Sequence, residues 1–238
     1  MTITRTGTSV KYDLKTRVFQ SVAPRYERTN DLISLGLNRL WLRKLVREVK
    51  KTPHHTIADV ACGTGALTER LARLKKTCVT GVDPNAAMLA VAQNKRQAKK
   101  RPHFILGLAE ALPLPDGSFQ AVTVAYGLRN FEDRERAMQQ MNRVLENGGR
   151  LFIMEFSIQD GVCTRRFMVL QRIYIRYVMP LLGWLGTGEK EAYEYLRDSV
   201  EAFPHPAQIS SEIKNAGFKD VAYKRLFPGV VVLFTGVK

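Results

Sequence analysis

Cysteine is scarce: the 238 residues hold only Cys62, Cys78 and Cys163, none of them in a C-x-x-C pair. That odd, unpaired set gives neither a disulfide framework nor a zinc ribbon, and a reducing, cytosolic setting is expected. No cluster of His, Cys or carboxylate residues suggests a metal site. Long apolar runs are missing too. The nearest approach to the roughly 18 to 20 residues of a membrane-spanning helix is Tyr177 to Leu185, which Pro180 and Gly183 interrupt. Met1 to Val10 is polar, without the apolar segment of a secretory signal. Acidic residues are few, 22 against 37 Lys and Arg, which leaves a net charge of +15 and a pI near 10.0. Such an excess calls for a polyanionic or surface partner. Disorder of the whole chain is excluded, because 45% of the residues are hydrophobic and 9% aromatic, enough for one sizeable core.

What is present is a rhythm. Thr56 to Ala61, Thr77 to Val82, His103 to Leu106, Ala121 to Tyr126 and Arg150 to Phe156 are rich in Val, Ile, Phe and Thr and read as strands. Between them, Ala66 to Lys76, Ala86 to Lys100 and Arg134 to Leu145 carry helical patterns, the second entered through Asp83-Pro84 with Pro84 in the first turn. Asn147-Gly148-Gly149 reads as a helix stop. This alternation predicts a doubly wound α/β fold with a mainly parallel sheet. Gln208 to Asn215 reads as a further helix, followed by an antiparallel pair, Val221 to Leu226 and Val230 to Thr235. Two regions stand outside the rhythm: a helical N-terminal lid over residues 1–50, with Asn30-Asp31 capping Leu32 to Lys50, and a helical insertion over residues 161–202. Residues 51–238 form the main domain.

The densest motif is Asp59-Val60-Ala61-Cys62-Gly63-Thr64-Gly65-Ala66, where a strand ends and a helix begins. Gly63 and Gly65 let backbone approach a ligand at the carboxyl edge of a parallel sheet, and Asp83, ending the next strand, can accept both hydroxyls of a ribose. Together they indicate a nucleoside cofactor. Thr68 stands where a dinucleotide fingerprint needs a third small residue, so pyrophosphate binding loses support. Asp59 instead suits a cofactor with a cationic amino-acid end. Cys62 reads as buried packing. The D-x-x-x-G-x-G pattern with its distal Asp83 resembles class I S-adenosylmethionine-dependent methyltransferases. By that resemblance the loop after the third strand, Leu108 to Pro113, contacts adenine, and the loop after the fourth, Ala125 to Asn130, faces the methyl group. Core packing is an equal alternative for Leu108 and Leu112.

The likeness then narrows. Val18-Phe19-Gln20-Ser21-Val22-Ala23-Pro24-Arg25-Tyr26-Glu27, the run from Asn30 to Trp41, Ala109-Glu110-Ala111-Leu112-Pro113-Leu114-Pro115-Asp116, Tyr126-Gly127-Leu128-Arg129-Asn130 and the run from Gly148 to Ser157 closely resemble the ubiquinone and menaquinone biosynthesis C-methyltransferase family, from about residue 15 onward. The resemblance implies methylation of a ring carbon of a polyprenylated benzoquinol or naphthoquinol. It implies cofactor contacts by Thr64, Asp83, Leu108 and Ala109. Ala125 replaces a frequent Ser, and Glu27, Thr29 and Asn38 stand where the family usually has Asp, Met and His.

Carbon methylation is an in-line displacement at a sulfonium, and the ring carbon becomes nucleophilic when a ring hydroxyl ionises. With a phenol pKa of about 10, about one molecule in a thousand is ionised at pH 7, a deficit of roughly 4 kcal/mol. Arg129 can stabilise the developing phenolate, although a salt bridge to Glu132 or Asp133 is the plain alternative. Asn130 can orient the phenolate or a proton-accepting water. Tyr126 can supply a hydroxyl or an aromatic face to the sulfonium. Tyr26, in the lid, is expected at the substrate or as a packing aromatic. His54, His55 and His103 read as surface or packing residues, and His205 is a weak candidate base.

Charge is uneven: residues 1–50 hold eleven basic and four acidic side chains, a net +7, against +4 in residues 51–160 and +4 in residues 161–238. Arg165, Arg166, Arg172 and Arg176 lie among Phe167, Met168, Val169, Leu170, Ile173, Tyr174 and Ile175, a pattern suited to an interfacial helix on anionic lipid, or to a core helix with snorkelling arginines. The expected setting is the cytoplasm, with peripheral contact on the inner face of the cytoplasmic membrane and a homodimer left open. An RNA methyltransferase would use the charge on phosphates. The fourth strand, however, lacks the following Asn/Asp-Pro-Pro-aromatic motif of many nucleic-acid amino methyltransferases, so nucleic acid is not expected. A noncatalytic cofactor-binding module is the third reading.

Overall fold

The computed structural model describes residues 23, 25–95, 102–158, 174–178, 182, 184, 188 and 190–238. Seven strands form one sheet: β1 (Thr56–Val60), β2 (Cys78–Asp83), β3 (His103–Leu106), β4 (Phe119–Ala125), β5 (Leu145–Phe156), β6 (Lys219–Leu226) and β7 (Val231–Val237), in the order β3-β2-β1-β4-β5-β7-β6. The first five pair in parallel. β7 runs antiparallel between β5 and β6, as the turn at Phe227-Pro228-Gly229 requires. The doubly wound sheet and its C-terminal hairpin therefore match the sequence reading.

Helices α1 (Tyr26–Ile33), α2 (Leu37–Val49), α3 (Ala66–Ala72), α4 (Ala86–Asn94), α5 (Arg134–Val144), α6 (Lys190–Glu201) and α7 (Pro206–Asn215) surround it. The apolar spacing of α2 buries Trp41, Leu42, Leu45 and Val49 against Ile57, Leu67, Leu71 and Val79, so α2 belongs to a main core on one face of the sheet. On the other face, α5 and α7 pack Met138, Met141, Ile209 and Ile213 against Val122, Leu151, Ile153 and Phe234. The helix α1 joins a smaller cluster of Ala23, Ile33, Met88 and Tyr193.

Several boundaries differ from expectation. Asn30 and Asp31 lie inside α1, and Gly36, with a left-handed φ of +78°, separates α1 from α2. The Asx signal was outweighed by a second apolar stripe that makes its own short helix. The helix after β4 stops at Val144, where Leu145 is already extended and pairs with Phe119. Gly148 and Gly149 thus sit in an irregular start of β5. Asn85, whose Oδ1 accepts the Ala87 and Met88 N–H groups, caps α4, which places Pro84 before the helix. Most of the expected interfacial segment, residues 159–173, lies outside the described residues; Arg176 sits on a π-helical turn, Tyr174–Val178, and is exposed.

Candidate active site

From β1 the chain winds outward to β2 and β3, then returns to β4 on the other side of β1. Loops leaving the carboxyl ends of β1 and β4 diverge at that switch point and open a crevice. A cavity of about 390 Å³ fills it, bounded by these loops below and by α1 and α2 above.

The glycine loop supplies one wall. Ala61, Gly63 and Gly65 all have positive φ. A Cβ on Gly63 would meet nothing within 4 Å, so its glycine serves the backbone conformation, whereas one on Gly65 would press within about 3.1–3.3 Å of Phe104 and Ala92. Gly63 N–H donates to Asp83 Oδ2 at 2.8 Å and Asn85 N–H to Oδ1 at 2.9 Å. Burial pushes the Asp83 carboxyl upward and these two donors oppose it. Asp59 is also buried, and both its oxygens accept hydroxyls, from Thr68 at 2.6 Å and Thr123 at 2.7 Å. Desolvation outweighs these bonds and lifts its pKa to about 6. Thr64 Oγ1 donates to Glu27 at 2.6 Å, while Lys95 donates to the Thr64 carbonyl at 2.6 Å and pairs with Glu27. Helix α1 is thereby tied to the glycine loop. Burial raises the Cys62 thiol pKa well above its usual range, which disfavours the thiolate and fits packing rather than nucleophilic attack.

The β4 loop supplies the opposite wall. A Cβ on Gly127 would come within 2.5 Å of the Ala61 Cβ, so only glycine lets the two loops meet. Tyr126 adopts φ +61° and stacks on Phe156 with ring centroids 4.8 Å apart. Its hydroxyl is buried without a hydrogen-bond partner, and the residue is part of the cavity wall. Burial keeps that phenol protonated well above its usual pKa. Asn130 Oδ1 accepts the Tyr195 hydroxyl at 3.0 Å. Tyr26 and Asn30 of α1 and Asn38 and Leu42 of α2 close the cavity, and Asn38 Oδ1 is buried without a donor. On the third wall Leu108 is partly exposed at the cavity rim beside Ala109, while Leu112 is in the core; the two alternatives divide between these leucines.

Asp59, Gly63, Thr64, Asp83, Leu108, Ala109, Ala125, Tyr126, Asn130 and Tyr26 therefore line one space. Gly65 and Arg129 do not. Gly65 sits beneath the loop at the start of α3. Arg129 is the larger correction. Its guanidinium donates to Glu155 Oε1 at 2.6 Å and to the Tyr126 carbonyl at 2.6 Å, with side chains 4% and 0% exposed for Arg129 and Glu155. Burial alone would lower its pKa, but the Glu155 carboxylate more than offsets that. The expected salt bridge exists, with Glu155 in place of Glu132 or Asp133; those two line the cavity, and Asp133 caps α5. His205 is a helix cap, its Nδ1 accepting the Ala207 N–H. His54 and His55 stack on each other and hydrogen-bond to the carbonyls of Thr52 and Lys76. Among the described residues no group of three His, Cys, Asp or Glu could hold a metal ion.

Sequence reading gave no role to Glu155, Tyr195, Asn38 or Lys95. Glu155 had a signal, a lone acid in the apolar run from Leu151 to Phe156. Asn38 had one in its departure from the family pattern, whereas Tyr195 arrives from outside the β-α rhythm and had none.

Comparisons with known proteins identify the fold and the family. A SAM-dependent methyltransferase of Thermotoga maritima superposes with a TM-score of 0.65 at 21% identity, covering 93% of this chain and 99% of that one. A Haemonchus contortus phosphoethanolamine N-methyltransferase, solved in complex with S-adenosyl-L-methionine, gives 0.57 at 16% identity over 79% of this chain and 49% of its own. Both share the fold. Proteins named ubiquinone/menaquinone biosynthesis C-methyltransferase UbiE match in sequence: one of Methylobacterium nodulans is 41% identical over 93% of this chain and 89% of its own. Another, of Shewanella woodyi, is 36% identical over 96% and 92%. Residues 7–238 match the ubiE/COQ5 methyltransferase family, and the chain belongs to that family.

Proposed function

We propose that the protein is a C-methyltransferase that moves a methyl group from S-adenosylmethionine to a ring carbon of a polyprenylated quinol, a demethylmenaquinol or a ubiquinol precursor. Membership of the family supports the reaction class. The observation that carries the site is the Tyr126 hydroxyl, buried and unpartnered on a residue of the cavity wall. A buried hydroxyl left so costs about 1–3 kcal/mol, which a ligand oxygen would recover.

The residues fit the cofactor. Asp83 spends one lone pair of each oxygen on backbone and keeps others for ribose hydroxyls. Leu108 and Ala109 flank the base, and Gly63, Thr64 and Ala125 leave room for the amino-acid and sulfur portions. Asp59, only 1% exposed and with each oxygen accepting a threonine hydroxyl, acts through its field. When bound, S-adenosylmethionine supplies an electrophilic methyl group on a sulfonium. Tyr126 donates to the ring oxygen as that oxygen releases its proton to water and gains negative charge, and its raised pKa keeps the tyrosine proton in place for that purpose. A preorganised buried donor of this kind contributes about 3–4 kcal/mol, comparable with the roughly 4 kcal/mol needed to ionise a phenol at pH 7. Tyr195 donates to the Asn130 Oδ1 and so holds that amide at the cavity wall, within the site proposed for the ring. Tyr26 contacts the substrate from α1. Arg129 holds the Tyr126 carbonyl and so positions the phenol; its charge is spent on Glu155.

A polyprenyl substrate places the enzyme at the inner face of the cytoplasmic membrane as a peripheral protein. No described helix is long and apolar enough to cross a membrane. Quinone profiling of a strain lacking the protein tests the reading: a demethylated quinone accumulates and disappears on complementation. An unchanged quinone profile would overturn it.

A further inference from the structure

We infer that the outer face of α2, with the turns α1–α2 and β6–β7, is the surface that docks on an anionic bilayer; this rests on the polyprenyl-quinol reading above. Three large apolar side chains stand out of the fold here. Leu35, in the α1–α2 turn, is 71% exposed and held at φ +50°, a left-handed conformation that leucine rarely adopts. Leu40 in α2 is 53% exposed, and Phe227 in the β6–β7 turn is 83% exposed. Trp41 Nε1 donates to the Phe227 carbonyl at 2.7 Å, which fixes the β6–β7 turn beside α2.

The charge around these residues is positive in excess, with Arg39 paired to Asp31 at 2.7 Å. Arg43, Lys44 and Arg47 follow Leu40 at three, four and seven positions and so share its exposed face. The single acid of α2, Glu48, already sits among Lys224 at 2.8 Å, Lys51 at 3.0 Å and Lys44 at 3.6 Å. Arg43 and Arg47 have no carboxylate partner among the described residues. Apolar tips ringed by free guanidinium groups match the two-part chemistry of a lipid interface, where side chains enter the acyl boundary and cations meet phosphates. A nucleic acid would use the arginines and gain nothing from the exposed Leu35, Leu40 and Phe227. The opposite face of α2 carries Asn38 and Leu42 into the cavity. One helix therefore lies between the docking face and the cavity, which keeps the proposed reaction site within a helix diameter of the lipid.

The test uses the full chain with vesicles of phosphatidylglycerol and phosphatidylcholine, and with phosphatidylcholine alone, at low and high salt. The variants are R43E/R47E and L35S/L40S/F227S, none of them at cavity-lining positions. The native protein should sediment with the anionic vesicles in a salt-sensitive way. At about fivefold per basic residue near such a surface, the charge reversal should weaken binding more than tenfold, and the apolar variant should weaken it as well. Both variants should keep native turnover on a short-tail, water-soluble quinol while losing turnover on a long-tail quinol presented in vesicles. Native vesicle binding by both variants would overturn the inference. So would RNA binding that R43E/R47E abolishes and L35S/L40S/F227S leaves intact, with no vesicle binding by the native protein. Failure of the native protein to methylate even the short-tail quinol would count against the proposed reaction and leave the docking result to stand by itself.

Discussion

Replacing Tyr126 by Phe removes one oxygen and nothing else, because the ring stays stacked on Phe156. In a residue that serves only packing, loss of a satisfied hydroxyl destabilises. Here the hydroxyl is buried and unpartnered, so its desolvation penalty of about 1–3 kcal/mol is relieved. A domain of this size gains about 2–4 °C in Tm for each kcal/mol, and the variant should melt at least a few degrees higher than the native protein. Turnover should move the other way. Without the donor, the ring oxygen loses about 3–4 kcal/mol of stabilisation, a fall in kcat of roughly 10²–10³-fold, while cofactor affinity stays within twofold. Differential scanning calorimetry, single-turnover methylation and isothermal titration with S-adenosylmethionine measure the three quantities. A Y126F protein that is less stable than native, or one that keeps native kcat, would refute the assignment.

Further outcomes follow from the same geometry. Because Arg129 and Glu155 are a buried pair, E155L should cost about 3–5 kcal/mol of stability by leaving a charge unmatched, and R129M/E155L should recover much of it; denaturant titration reads both. R129A should lower turnover far more than cofactor affinity, since Tyr126 loses its anchor. Asp59, at a pKa of about 6, is about nine-tenths ionised at pH 7 and one-tenth at pH 5, so cofactor affinity should weaken about tenfold over that range and D59N should flatten the dependence. The free protein shows the opposite sign: native Asp59 takes up its proton near pH 6 and the unfolded chain near 4, so protonation of Asp59 favours folding as pH falls through that window, by roughly 3 kcal/mol at most. Thermal melts of native and D59N protein between pH 4 and 7 check it. Y195F removes the hydroxyl that donates to Asn130 Oδ1 and should lower kcat several-fold with unchanged cofactor affinity, and the reduced kcat should be independent of pH.

Elements with strong period and edge signals were legible in the sequence. The five parallel strands, the hairpin and the glycine loop each carry local residues that specify them, and Asp83 falls at the end of β2 because the β-α rhythm puts it there. Interior partnerships were not legible. Arg129 was expected to face a phenolate, since the sequence places it after β4 but does not show that Glu155, one strand over, neutralises it. Asp59 was expected to suit the cationic end of a cofactor, but its own hydrogen bonds were not visible: Thr68 and Thr123 come from a helix and a neighbouring strand to donate to its two oxygens. Asn30-Asp31 misled for a different reason: a capping signal and a mid-helix position look alike until packing of Ile33 decides between them.

The central claim is transfer of a methyl group to a ring carbon of a polyprenylated quinol. Incubating the purified protein with methyl-labelled S-adenosylmethionine and a reduced demethylated polyprenyl quinol, then locating the label by fragmentation mass spectrometry, tests it most directly. Label should appear on the ring carbon; label on a ring oxygen, or none on the quinol, would rule out this reaction.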